Sequence, residues 1–419
     1  MFSRTQAPCA VQDCYDPCAA AKTKDDVLAT TAQKRIESFT DRPEPATGIL
    51  PTDGSPSMMS ADSSPCRRRA LTLGPTLRRY NRYREALPYA RAANDMNQQL
   101  GATAQDEDDA VNGDCLTRLP VTGEALSKEL GLKPDTITDS DLRNETTGFR
   151  AALYRDETTG KLILVGRDTQ PTSLVDWQTN TRNGEGKDTD QYAAMRRLSG
   201  KMTDGGVTFD VAGYSKGGGL AQEAALINSD ARAFVFNSAG LHENSLVRTG
   251  TQDFQSLEQR THAFSASNDF LTFMNDTTDP AQQIENARFL RRELAGENRW
   301  IPDPMQIDHR NPALADSADD PAFERDLADY LGEMDGMVQR MEQDHAAGRP
   351  LRSFPPVRAG QKETIPDSDS WIGNRFGAAS PGPNLGKLAQ HQMSNVLDPM
   401  QDNITKDRNT LNDFLKQCP

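Results

Sequence analysis

VTFDVAGYSKGGGLAQEAALIN, residues 207–228, decides how this chain is read. Val207 to Ala212 has the apolar, β-branched character of a strand, and Leu220 to Ile227 that of a helix. Between them Gly213, Tyr214, Ser215, Lys216 and Gly217 spell Gly-x-Ser-x-Gly. Five residues alone are a weak signal in a chain with 30 glycines. Context strengthens it. A strand, a sharp turn and a helix strain the serine backbone and lift its hydroxyl above the sheet. The flanking glycines leave room for so tight a turn, and the helix N-terminus adds partial positive charge and free N–H groups. Ser215 is therefore the candidate nucleophile, and the amide of Lys216 the first candidate donor to an oxyanion. A glycine-rich connection or phosphate cradle is the competing reading.

Outward from this motif the chain alternates strands and helices. FRAALYRD and KLILVGRD, joined by a turn at residues 157–160, read as a hairpin. A helix is expected over Asp188 to Met202, and strands in ARAFVFNSAG and THAFSASNDFLTF. This pattern predicts an α/β fold with a central, mostly parallel sheet covered on both faces. Residues 280–345 read as a helical insertion. Phe323, Leu327, Tyr330, Leu331, Met334, Val338 and Met341 form one stripe, which suits a core-packing helix or a lid offering its apolar face to lipid.

Residues 1–75 are rich in Pro, Ser, Ala and Thr and read as an irregular extension, with helix character starting near Leu77 and one hydrolase domain over 76–419. Hydrophobic residues make up 36% of the chain and mean hydropathy is −0.71, in keeping with a part that forms no core. A net charge of −14 argues against nucleic acid as a partner. Arg67 to Arg69, with Arg78, Arg79, Arg82 and Arg84, read as a solvated basic stretch. No apolar run is long enough to cross a bilayer, and the N-terminus has no apolar core of a signal peptide. Cys9, Cys14 and Cys18 fit no common zinc spacing and read as ordinary thiols in a tail.

A serine hydroxyl needs a base, and the base needs an orienting acid. In this fold the order along the chain is Ser, acid, His. Asp269, in the loop after a late strand, is the best acid, with Asp276 and Asp279 behind it. His242 and His262 precede it, and His345 lies in a charged helical stretch. His309 and His391 remain, and spacing alone slightly favours His309.

Several blocks, in order, resemble the class 3 lipases, and within them bacterial phospholipase effectors delivered into rival cells, often by type VI secretion. These are TGFRAALYRDETTGKLILVGRDT, DWQTNTRNGEGKDTDQY, AGYSKGGGLAQEAA, FVFNSAGL, FSASNDFLT and LGKLAQHQMSNVLDPM, spanning roughly residues 85–400. The resemblance implies an α/β-hydrolase, with His391 as base and Thr169 as second oxyanion donor. It implies Asp176 and Trp177 as structural residues beside the cleft. This chain departs from the family at Asp168, where glycine is usual. The expected activity is A-type phospholipase, with acylglycerol lipase or a non-catalytic binding module as alternatives. No cofactor or metal is expected. The resemblance further implies a phospholipid membrane as substrate, an immunity protein and a secretion-machine component as partners, and export from a bacterial cytoplasm to act on a target cell's membrane or periplasm.

Overall fold

The computed structural model describes residues 17–40, 65–98, 115–170, 173–250, 254–295, 321–352, 360–366 and 391–419. It divides into two units. The larger comprises Ala86–Asp156 and Lys161–Met400; the smaller comprises Met1–Glu85, Glu157–Gly160 and Gln401–Pro419.

The larger unit is built on a sheet in the order β1-β3-β4-β5-β6-β7-β8. Its first strands are β1 (Leu116–Arg118), β2 (Arg143–Asn144), β3 (Phe149–Asp156) and β4 (Leu162–Gly166). They are followed by β5 (Asp210–Tyr214), β6 (Ala233–Phe236), β7 (Thr261–Ser265) and β8 (Gln361–Thr364). Strands β4 to β8 run parallel, β3 pairs antiparallel with β4 as the expected hairpin, and β1 and β2 pair antiparallel with β3. Ile163 to Val165, Val211, Ala212 and Ala233 to Phe236 are all buried. Unbroken apolar runs of this kind are what a parallel sheet covered on both faces requires.

Helices α6 (Asp190–Asp204) and α7 (Lys216–Ile227) cover the sheet through Met195, Leu198, Met202, Leu220, Ala221 and Ala224. Strand β7 ends at Ser265, and the chain then enters a helix, α10 (Phe270–Asp276), where a longer strand was expected. The cause is local. Asp269 caps that helix, its Oδ2 accepting from the Thr272 amide at 2.7 Å, which turns the apolar residues after it into a helical face.

The insertion contains α11 (Pro280–Leu294) and α12 (Pro321–Ala346). Met337, Val338 and Met341 of α12 pack on Ile284 and Ala287 of α11. Tyr330 is buried and exchanges a hydrogen bond with the Thr181 hydroxyl at 2.6 Å in α5 (Leu174–Gly184). Tyr330, Met334, Val338 and Met341 of the apolar stripe are thus spent on packing, while Leu327 and Leu331 are half-buried and the Phe323 side chain lies outside the described ones.

In the smaller unit, residues 17–40 and 65–75 of the expected irregular extension are helical. Helix α1 (Pro17–Thr40) and the first part of α2 (Pro65–Gln98) lie in it, with the last part of α13 (Ser394–Gln417). Gly74–Pro75 looks like a breaker, yet α2 runs through it. Leu28, Ala32 and Ile36 are buried at four-residue steps, with Leu73, Leu77, Tyr80, Leu411 and Phe414. Polar groups close the bundle. Arg79 grips Asp407 at 2.8 and 2.5 Å, and Asp25 accepts from Tyr80 and Arg408 at 2.9 and 2.8 Å. Cys66 is disulfide-bonded to Cys418, across 352 residues of sequence. Cys18 and Cys115 are disulfide-bonded as well, so the reading of Cys18 as an ordinary thiol does not hold.

A cross-link between such distant residues removes chain entropy from the unfolded state. Cys66→Ser is expected to lower stability by about 2–4 kcal/mol. Denaturant unfolding of wild type and variant, each with and without reductant, checks this; reductant should narrow the difference.

Candidate active site

The carboxyl ends of β4, β5, β6 and β7 meet at the crevice where open α/β sheets carry their chemistry. Strand β5 delivers Ser215 there. Its backbone stands at φ 53°, ψ −125°, a conformation non-glycine residues rarely adopt. The neighbours impose it. The Ser215 amide donates to the Phe236 carbonyl at 3.0 Å, and its carbonyl accepts from Ala239 and Gly218 at 2.8 and 3.0 Å. A Cβ on Gly213 would stand 2.0 Å from the Gly217 carbonyl oxygen, and one on Gly217 would stand 2.3 Å from that of Gly166. The turn is therefore closed to side chains on both sides, and β4 presses directly on the start of α7.

The structure brings together the three residues expected to act in sequence. His391 Nε2 lies 2.9 Å from Ser215 Oγ, and His391 Nδ1 lies 2.6 Å from Asp269 Oδ1. The imidazole also stacks on Tyr214, ring centroids 5.2 Å apart. Asp269 is fully buried, and its second oxygen is held by the Thr272 amide, so its carboxylate has a fixed direction. Asn237, at the end of β6, accepts from the Ala266 amide at 2.8 Å and steadies the loop that presents Asp269. His309 lies outside the described residues. Asp276 is paired with Lys362 at 2.5 Å, and Asp279 caps α11; neither touches His391.

Lys216 opens α7, so its amide has no partner one turn back within the helix. Thr169 is buried just after β4, its hydroxyl accepting from Asn180 at 2.8 Å, and the next amide, of Gln170, donates to Asp176 at 2.8 Å. Both expected oxyanion donors thus come just after the carboxyl ends of neighbouring strands, β4 and β5, and the turn carrying Thr169 is tied to the start of α5.

Asp176 is more than a loop-shaping residue. One oxygen meets Lys216 Nζ at 2.5 Å and Gln191 Nε2 at 2.6 Å, while the other takes the Gln170 amide. Lys216 and Asp176 are both buried, and burial pushes the Lys216 ammonium below its ordinary range against the pull of Asp176. The sequence pointed to Lys216 only for its amide, and it did not point to Gln191 or Asn97 at all. A lysine beside the nucleophile and an aspartate before a tryptophan were the available signals, and nothing in one sequence joins them.

Asp168 is buried just after β4, within electrostatic reach of this pair. With the Asn97 side chain turned to donate, its nitrogen lies 2.7 and 3.0 Å from the two Asp168 carboxylate oxygens. Burial, the largest influence, pushes the Asp168 carboxyl up to about 7, opposed by Lys216 and His391. A folded-state value above the unfolded one means that the native protein holds an extra proton between pH about 4 and about 7. Stability contributed at this site is therefore full at acid pH and lost as pH rises through that window, by up to about 4 kcal/mol. Asp168→Asn should stabilise the protein at pH 8 and have little effect at pH 4, as read by chemical denaturation at both values.

Residues 117–296 match the family model described as phospholipase-like, the Tle-like phospholipase domain. An extracellular phospholipase A1 of Serratia liquefaciens is 34% identical over 116 residues, which cover 27% of this chain and 34% of that relative. The match to the relative thus spans about a third of its length. The family match takes in Ser215, Asp269, Thr169, Lys216 and the Asp176 network; His391 lies beyond it. The family match, with the elbow inside it, makes residues 117–296 similar to a Tle-like phospholipase domain.

Proposed function

We propose that the chain hydrolyses carboxyl-ester bonds of membrane phospholipids, as an A-type phospholipase working through an acyl-enzyme on Ser215. The observation that carries this is the hydrogen-bonded line from Ser215 Oγ through His391 to Asp269, set beside the match to a phospholipase domain. With Nδ1–H donating to Asp269, Nε2 of His391 is free to accept the Ser215 proton. As that proton moves, Oγ bonds to the acyl carbon and the carbonyl π pair shifts onto oxygen. The amides of Lys216 and Thr169 hold the resulting oxyanion. The pair then returns, the bond to the glycerol oxygen breaks, and that oxygen takes the proton from Nε2. Water repeats the sequence and frees the fatty acid. The buried carboxylate of Asp269 steadies the imidazolium at both stages.

Ser215→Ala is expected to lower hydrolysis of a glycerophospholipid by about 10⁴-fold or more with the circular dichroism unchanged, and His391→Ala by a similar factor. His309→Ala should retain activity; its loss there instead would move the base. Mass spectrometry of the products should find fatty acid and lysophospholipid. Release from triacylglycerol alone would assign the enzyme to neutral lipid.

The proposal extends to a biological role carried by the resemblance and the Tle-like match. The protein would be made in a bacterial cytoplasm, exported through a secretion machine, attack a target cell's membrane from its periplasm, and be silenced by an immunity protein. Expression directed to the periplasm should arrest growth for wild type and not for Ser215→Ala, and a small protein encoded beside it should restore growth. Normal growth with wild type would sink the role.

A further inference from the structure

Asp168 is a buried acid that the hydrolytic scheme does not use. Asp168 follows β4 and directly precedes Thr169, whose amide is a proposed oxyanion donor. Its side chain is buried, held by the Asn97 amide, and within electrostatic reach of His391 and Lys216. We propose that Asp168 sets the charge beside the oxyanion, so that its protonated form supports ester hydrolysis and its ionised form slows it. The inference rests on Ser215 being the nucleophile.

The argument is electrostatic. Attack on the ester moves a full negative charge onto an oxygen held by two amides, in a site where water screens little. A carboxylate next to one of those amides raises the energy of that oxyanion, and a neutral carboxyl does not. The charged and titratable groups that bear on Asp168 are Lys216 of α7, Asp176 of α5, Arg167 on its own segment and His391, and Asp168 in turn acts on Tyr214 of β5. Lys216 is shared with Asp176, which it meets at 2.5 Å, and Arg167 donates to the Gly148 carbonyl at 3.0 Å. Both cations favour the ionised form of Asp168, and burial outweighs them. Asn97 brings a dipole and no charge, and its donation favours the ionised form. Burial works the other way and keeps the proton on Asp168 into the neutral range.

The test uses the full chain with a soluble short-chain p-nitrophenyl ester, and measures kcat/KM from pH 5.5 to 9 for wild type, Asp168→Asn and Asn97→Leu. The ratio of wild type to Asp168→Asn reads the effect of the Asp168 carboxyl on the site as a whole, the imidazole within its electrostatic reach included. That ratio is expected to fall about tenfold across neutral pH, with a midpoint near 7. Asn97→Leu removes a donor to the carboxylate and should move the midpoint upward; this arm remains readable if Asp168→Asn folds poorly. A ratio independent of pH, with the Asn97→Leu profile unmoved, overturns the proposal. Labelling by a fluorophosphonate is followed in parallel. Wild type that never labels at Ser215 overturns the nucleophile itself, whereas normal labelling with a flat ratio overturns only the role of Asp168.

Discussion

A single serine held at φ 53° organises the site. No side chain fits at Gly213 or Gly217, because the carbonyl oxygens that a Cβ would strike belong to the turn itself and to β4. The same closeness that forbids side chains brings the end of β4 against the start of α7. The cost of the strained backbone is met by three hydrogen bonds, to Phe236 at the end of β6, to Ala239 beyond it and to Gly218 in α7. The hydroxyl is then fixed above the sheet, and the rest of the chain has only to bring a base to it.

Behind the elbow lies a second constraint, a buried cation and anion at 2.5 Å. Taking two charges out of water is costly, and here both oxygens of Asp176 take a further hydrogen bond, from Gln191 and from the Gln170 amide. The pair therefore joins the start of α7, α6, α5 and the turn after β4 into one framework. Lys216 is thereby shared between Asp176 and Asp168, and at Asp168 burial outweighs the neighbouring cations.

The helical parts are held by a different balance. Helix α12 spends its methionines on α11, and the smaller unit closes a modest apolar core with Arg79–Asp407, the Asp25 network and the Cys66–Cys418 bond. Small cores commonly need such additions, since little apolar area is buried per residue.

The elbow, the β3–β4 hairpin and the parallel strands were legible in the sequence because each is a local matter of apolar runs, turn glycines and helix formers. Ser215 and Asp269 could be named on that basis. The choice between His309 and His391 could not, because nothing local distinguishes a histidine that reaches the serine from one that does not; the ordered blocks of a resembling family tipped it. The helices before residue 75 were hidden by Gly74–Pro75 and by burial through small residues such as Ala32 and Ala70. What only the tertiary structure decided is which distant charges meet. Lys216 with Asp176, Asn97 with Asp168 and Cys66 with Cys418 are pairings set by the packing of helices on a sheet or on each other, and sequence separation carries no trace of them.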